Sequence, residues 1–353
     1  MVLREKRLIK MKVTISDVAK MAGVSKSTVS RIMNGNLEQN TEGTIQRVLK
    51  VIDELDYKPN ALARSLKSTK TNVIGIILSK LQNQFWSSVL EGVEDTCRNS
   101  GYNLMICNSN EEAQLEEDHI RSFQMHQLDG LIINPTLKNP HLYKKLSEDQ
   151  FPFIAINRKM YDLDVHMVTV NNINGAKVAI QHLIDSGKTR ISIFLYPPDG
   201  ISPRLERLEG YKQALQSNGL KVSQSLIQIV GEGKGEVEDA VKKLLHSSDR
   251  PDAIFSTNNM MTLEILEGIK NQQLKVPEDI TLVGYDETIW AKHLNPPLTT
   301  VNQPAYEMGS LAAKKLIHLI EAKGVESEIP KVVSLEPSLI IRESCGSKLQ
   351  HKN

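Results

Sequence analysis

Between Met21 and Asn36 the chain reads MAGVSKSTVSRIMNGN, which crowds Ser25, Lys26, Ser27, Thr28, Ser30, Arg31 and Asn34 into a few turns of backbone. All seven side chains donate hydrogen bonds, two are cationic, and none is a carboxylate. An ordinary amphipathic helix does not need so many donors on one short segment. Such a surface suits a polar, negatively charged target: residues at the start of a helix can reach base edges in the major groove, while short hydroxyls and Arg bond phosphates. Catalytic chemistry finds no comparable cluster. The sequence holds no G-x-S-x-G, no H-E-x-x-H and no pair of cysteines at metal spacing, and His119 and His126 read as solvated or structural in a polar helix. No catalytic residue, metal or cofactor is expected. GEGKGE, from Gly231 to Glu236, follows an apolar strand and precedes a helix, as phosphate loops do. It lacks the spacing and the Ser or Thr of a Walker loop, and the G-x-G-x-x-G of a dinucleotide site.

The donor-rich segment needs helices to hold it. Thr14 with Asp17 matches a capping box, Ser25 is placed to cap a helix starting at Lys26, and Thr41 can cap a third that carries Ile45, Val48, Leu49, Ile52 and Leu55. Helix, Gly23 turn and second helix is the layout of a helix-turn-helix. Pro59 then stops the pattern, NALARSLK can form two helical turns, and STKTN is a polar linker, which puts a domain boundary near Lys70. From Val73 onward apolar strands alternate with helices: VIGIIL, YNLMIC, DGLIIN, FPFIAIN, RISIFLY, SLIQIV, DAIFST and DITLVGYD. That alternation predicts parallel sheets covered by helices on both faces. Its length exceeds what one sheet usually holds, and the polar NNING at 171–175 is a natural crossing between two lobes.

Composition agrees with this division. A chain of 353 residues with 40% hydrophobic and 24% charged residues is globular and long enough for two or three units. No apolar run reaches the roughly 18 residues of a membrane span. MVLREKRLIK at the start has no apolar signal core, so a cytoplasmic protein is expected, and Cys97, Cys107 and Cys345 read as reduced thiols. The formal net charge of +1 hides an asymmetry: residues 1–70 hold 14 Lys and Arg against 7 Asp and Glu, and the remainder is acidic. A basic head on an acidic body suggests a polyanion-binding module joined to something else, although charge alone leaves open a mere excess of surface lysine.

VTISDVAKMAGVSKSTVSRIMNG, together with YKPNALARSLKSTKTNVIGII, resembles the amino-terminal signature of the LacI/GalR family of bacterial repressors, and the similarity continues through DGLIIN, GYDET and PPLTTVNQP. The resemblance implies an α/β protein: a three-helix head with a hinge helix, then two Rossmann-like lobes of periplasmic-binding-protein type. The expected parts are an extension at 1–10, a helix-turn-helix domain at 11–58, a hinge helix and linker at 59–71, an effector-binding and dimerisation core at 72–345 and a tail at 346–353. Lobe one should take about 72–170 and 302–332, and lobe two about 171–301 and 333–345. The resemblance places Lys26, Ser27 and Arg31 on bases, and Ser25, Thr28, Ser30 and Asn34 at the turn or the DNA backbone. Leu62, Ala63, Leu66 and Lys67 fall on the hinge helix, with Leu66 as the wedge that unstacks a base step. Gly43, Asn40 and the extension depart from the family pattern.

For the effector the resemblance implies Ser79, Phe85, Trp86, Asn157, Arg158, Arg207, Asn258 and Asp286, at the carboxyl ends of strands where open α/β sheets bind ligands. Lys234 stands where several relatives have an aromatic platform. With Arg158 and Arg207 it would gather positive charge suited to a carboxylate, so an anionic effector is expected, most simply a sugar acid such as a uronate or a ketodeoxy sugar acid, the ketodeoxygluconate type among them, with a sugar phosphate second. The implied function is repression of a carbohydrate or sugar-acid catabolic operon by a homodimer on a pseudo-palindromic double-stranded operator, with no membrane partner. The alternatives are control by a protein coregulator, as in catabolite-control members of the family, and a sugar-binding receptor. No leucine heptad follows Ser344, which argues against a tetramerising coiled coil.

Overall fold

In a computed structural model, residues 13–33, 35–57, 70–322 and 330–346 are described. Asn34, Leu62, Ala63, Leu66 and Lys67 lie outside these residues, as do the extension, nearly all of the hinge segment and the tail from Ser347. The chain divides into two compact units, with the break between Thr71 and Asn72.

The first unit holds α1 (Ile15–Ala22), α2 (Lys26–Met33) and α3 (Glu42–Glu54). At the start of α1 the Asp17 carboxylate accepts from the Thr14 backbone N–H at 2.8 Å and from its hydroxyl at 2.7 Å. Gly23 ends the helix with φ 65°, a left-handed conformation that glycine adopts without steric cost. Val18, Ala22, Val29, Ile32, Val48 and Val51 form the small core. Leu49 is exposed, contrary to the sequence reading. The buried row on α3 runs through Val48, Val51 and Ile52, and Leu49 sits one step round the helix from it.

The second unit is a pair of lobes. The first begins with β1 (Val73–Leu78), α4 (Gln84–Asn99), β2 (Asn103–Asn108), α5 (Ala113–Met125), β3 (Gly130–Ile133), α6 (Pro140–Glu148), β4 (Phe153–Ile156) and β5 (His166–Val170). The chain then crosses through α7 (Asn172–Asp185) into β6 (Ile191–Leu195), α8 (Ser202–Ser217), β7 (Ile227–Ile229), α9 (Glu236–Leu245), β8 (Ala253–Ser256), α10 (Asn259–Asn271), β9 (Thr281–Tyr285) and β10 (Thr299–Asn302). It returns as α11 (Ala305–Ala322) and β11 (Val332–Leu335), and crosses again to β12 (Ser338–Ile340).

The first sheet has the order β11-β5-β4-β3-β1-β2 and is parallel throughout, with Ile76 of β1 level with Ile106 and Ile132 of its neighbours. The second has the order β12-β10-β9-β8-β6-β7, parallel except for β12 against β10. Apolar clusters line both faces of each sheet, and each fully buried Ile or Leu in them contributes about 1.5–3 kcal/mol. Helices α4 and α11 cross closely because a Cβ at Gly92 would meet the Tyr306 carbonyl oxygen at 2.1 Å, and one at Gly309 the Val89 carbonyl oxygen at 2.0 Å.

Sequence reasoning placed the final crossing at 332. The structure puts it at Glu336–Pro337, because Val332–Leu335 pairs with β5 and so completes the first sheet. The crossing at 171–175 is a helix start, where the Asn171 side chain accepts from the Asn174 N–H at 3.1 Å.

Candidate DNA interface and ligand cleft

In the head, three residues separate α1 from α2, and Ser25 caps the second helix, its hydroxyl accepting from the Thr28 N–H at 3.1 Å. The same hydroxyl lies 2.7 Å from that of Ser27 and 2.9 Å from that of Thr28. Val29 and Ile32 anchor α2 in the core, which leaves Ser25, Lys26 and Ser27 exposed and Thr28, Ser30 and Arg31 half-buried. Arg31 donates to the Gln39 side chain at 2.5 Å and to the Ser27 carbonyl at 3.3 Å, which extends its guanidinium along the helix. Arg47 of α3 donates to the Ala22 carbonyl at 2.9 Å and ties the third helix to the turn. The result is a helix anchored through Val29 and Ile32 whose exposed start carries two hydroxyls and an ammonium and no carboxylate.

In the second unit the strand order of both sheets reverses between their first and third strands, and the loops leaving those strands meet in a cleft between the lobes. Its cavity measures about 160 Å³. Ser79, Phe85, Trp86, Asn157, Arg158, Arg207, Asn258 and Asp286 line it. Lys234 does not: it is exposed and outside the lining, and Glu232 of the same loop faces the cleft instead. The glycines of that loop have their own reason. A Cβ at Gly231 or Gly233 would lie 2.3 or 2.1 Å from a carboxylate oxygen of Glu236, so the loop wraps around its own acid at the start of α9.

The first lobe supplies one wall. Asn134 donates to the Ser79 hydroxyl at 2.7 Å and accepts from Asn157 at 3.3 Å. Asn157 sits at φ 65°, which Asn tolerates better than most side chains. Arg158, 4% exposed, donates to the Pro135 carbonyl at 2.9 Å and to Glu111 at 2.5 Å, while its buried Nε–H has no partner among the described residues. Buried Glu116 fixes the loop that carries Pro135, accepting from the Thr136 N–H at 2.7 Å, the Thr136 hydroxyl at 2.9 Å, Asn139 at 3.0 Å and the Tyr143 hydroxyl. Burial opposes charge on Glu111, but bonding to Arg158, its positive charge, the Ser79 hydroxyl and Arg204 outweigh that and hold the carboxyl below its ordinary range. Phe85 and Trp86 meet edge to face, with centroids 4.9 Å apart.

The second lobe adds Arg207, which donates to Asn172 at 2.9 Å and to the Thr257 carbonyl at 2.7 Å and stacks 3.7 Å over the Tyr285 ring. Asp286 is buried at φ 73° and accepts from Gln303 at 2.5 Å. Burial pushes its carboxyl above the ordinary value, against the pull of Arg207. Asn258 caps α10, accepting from the Met260 N–H at 2.9 Å, and Asn83 caps α4, accepting from the Phe85 N–H at 2.9 Å. Asn83 also accepts from Asn259 at 2.9 Å, which joins the lobes. At the mouth of the cleft Glu232 bonds both Lys80 of the first lobe and, at 3.0 Å, Arg204 of the second. Burial, and after it the like charges of Arg204 and Arg158, draw the Lys80 ammonium below its ordinary value against the opposing charge of Glu111.

Sequence reasoning missed Lys80, Glu111, Asn172 and Glu232 and left Arg204 unassigned. Lys80 stood beside Ser79 at the end of the first strand and could have been found by the strand-end rule; the two acids carried no local signal. Among the described residues no group of three or more His, Cys, Asp or Glu is placed to hold a metal, and no helix is long and apolar enough to cross a membrane.

Two family descriptions match the chain: bacterial regulatory proteins of the lacI family over residues 14–60, and a periplasmic binding protein-like domain over 180–345. The probable HTH-type transcriptional regulator EndR of Paenibacillus polymyxa is 34% identical over 335 residues, covering 94% of this chain and 98% of EndR. The HTH-type transcriptional regulator KdgR of Bacillus subtilis (strain 168) is 32% identical over 332 residues, covering 94% and 97%. In fold, the crystal structure of the lac repressor dimer bound to operator and the anti-inducer ONPF matches with a TM-score of 0.82 at 22% identity, covering 94% of this chain and 99% of that one.

Proposed function

Because the chain belongs to the LacI family of bacterial regulatory proteins, DNA-binding transcriptional regulators and not enzymes, we propose that it represses a carbohydrate or sugar-acid catabolic operon and is released by a small anionic sugar. The observation that carries the choice of ligand is the charge of the cleft. Its lining holds Lys80, Arg158, Arg204 and Arg207 against Glu111, Glu232 and Asp286. The surplus positive charge falls at the mouth, where Lys80 and Arg204 share the one carboxylate of Glu232. The starts of α4 and α10 also face the cleft through their capping residues Asn83 and Asn258, and helix starts favour negative charge. Among the described residues the buried Nε–H of Arg158 and the Gln303 carbonyl oxygen have no partner, and a hydroxylated ligand supplies both an acceptor and a donor.

In this reading the protein works in the cytoplasm as a homodimer. Two copies of α2 enter successive major grooves of a pseudo-palindromic operator, with Lys26, Ser27 and Arg31 on bases. The hinge residues Leu62, Ala63, Leu66 and Lys67 act at its centre. Ligand binding shifts the lobes and, through the dimer, lowers operator affinity, so DNA and ligand affinities are reciprocally coupled.

Fluorescence anisotropy on a palindromic operator from the protein's own promoter tests this. Arg31→Ala should weaken operator binding by about 1–3 kcal/mol. A sugar acid should release the wild-type protein where neutral sugars do not. Release by a neutral sugar alone removes the anionic ligand and leaves the DNA-binding role standing.

A further inference from the structure

The mouth of the cleft contains a carboxylate that belongs to the chain itself. Glu232 lies in the loop before α9, and its two oxygens are divided between Arg204 of its own lobe and Lys80 of the other. Among the described residues these are the salt bridges that Lys80 and Arg204 make. The arrangement, one carboxylate received by a guanidinium and an ammonium, is how a protein holds an acidic ligand. We propose that Glu232 is a tethered competitor: it occupies the position that the carboxylate of an acidic sugar takes, and such a ligand binds by displacing it.

Three features set Glu232 apart from the other acids of the cleft. It is at the rim, with one third of its side chain exposed, and Lys80 is 44% exposed, so water can solvate the pair as it opens. Glu111, by contrast, bonds an Arg158 side chain that is only 5% exposed, where losing the partner strands a buried charge. Glu232 is also flanked by Gly231 and Gly233, while Glu236 anchors the loop from below, so its side chain can leave without unseating α9. Finally, it bridges the lobes, as the ligand of an interlobe cleft does. The identity of the ligand as an acid rests on the reading given under Proposed function. What is added here is the group it competes with and the cations it takes over, Lys80 and Arg204 in place of Lys234.

Isothermal titration calorimetry on the full chain, with galacturonate, gluconate and a ketodeoxy sugar acid, and with galactose and glucose as neutral counterparts, tests the proposal. Glu232→Gln should bind at least one acid about three- to tenfold tighter than the wild type while neutral sugars are unchanged. Arg204→Gln should weaken the same acid, and Glu148→Gln, which removes an equal charge from an exposed pair on α6, should change nothing. Tighter acid binding by Glu232→Gln where the wild type binds none supports the competitor and explains the silence of the wild type. If the wild type binds an acid and Glu232→Gln binds it no more tightly, or gains equally for neutral sugars, the competitor is overturned and the acid reading survives. If both proteins bind only neutral sugars, both ideas fall.

Discussion

The head and the cleft present polar side chains in opposite ways. On α2, Ser25, Lys26 and Ser27 stand exposed on a helix held from behind by Val29 and Ile32, ready to meet a partner without rearrangement. In the cleft, Arg158, Arg207 and Asp286 are all less than one tenth exposed and are bonded to groups of the same chain. A surface of the first kind reads a large, rigid target by complementarity. A site of the second kind makes a ligand compete with internal partners, so that binding disturbs the hydrogen bonding within each lobe. That difference suits a regulator, because the small ligand must change the protein whereas the DNA need only be recognised.

The comparison is broken most severely at Arg207. Its guanidinium bonds Asn172 and the Thr257 carbonyl, covers the Tyr285 ring and offsets the buried charge of Asp286. Arg207→Met removes both of those charge-assisted hydrogen bonds, leaves their buried acceptors unpaired, and should destabilise the core by about 3–5 kcal/mol and abolish ligand binding. Calorimetric melting should show the loss in the core transition alone. An unchanged melting temperature would mean that the internal bonds of the cleft are incidental.

The same contrast shows what was readable in advance. The polar face of α2 was legible because a short helix-turn-helix fixes it through local signals, a capping serine and a glycine at positive φ. Eight strands were legible as apolar runs, and the resemblance to the LacI/GalR family then named most of the cleft residues at their carboxyl ends. The strands at His166–Val170, Thr299–Asn302, Val332–Leu335 and Ser338–Ile340 were not, since each breaks its apolar run with a Thr, Ser or His and owes its conformation to neighbours far along the chain. The acids of the cleft were hidden for a related reason: Glu111 is 47 residues from Arg158 and Glu232 is 152 from Lys80, so only the assembled lobes show each pairing. Lys234 misled because in a glycine-rich loop neighbouring side chains need not share a face, and Glu232 is the one that faces inward.

The pairing inside the cleft also has a pH signature. Glu111 has its carboxyl held below the ordinary glutamate value of 4.5, chiefly through Arg158 once burial is overcome. A carboxyl with a depressed folded-state pKa contributes stability that is present above the unfolded value and is lost as pH falls through the folded one. Glu111→Gln should therefore cost about 1.5–3 kcal/mol at neutral pH, the range for a hydrogen bond to a charged group. The gap between variant and wild type should narrow as pH falls below 4.5. Melting curves followed from neutral pH into that range give the answer, and a gap that stays constant would assign the loss to packing instead of charge.

The smallest effect belongs to the head. Ser25→Ala removes the hydroxyl that accepts from the Thr28 N–H and leaves that donor only the Ser25 carbonyl at 3.1 Å. The loss should be about 1 kcal/mol, confined to the head. Because Lys26 and Ser27 follow directly on that cap, fraying of the first turn loosens the donors that are to meet DNA. Operator affinity should fall by a few-fold while ligand binding in the cleft stays as in the wild type. Hydrogen exchange at the amides of Thr28 and Val29 would report the fraying directly, since both donate to Ser25 in the intact helix. If exchange quickens and operator affinity holds, the recognition helix is set by the packing of Val29 and Ile32 and not by its cap.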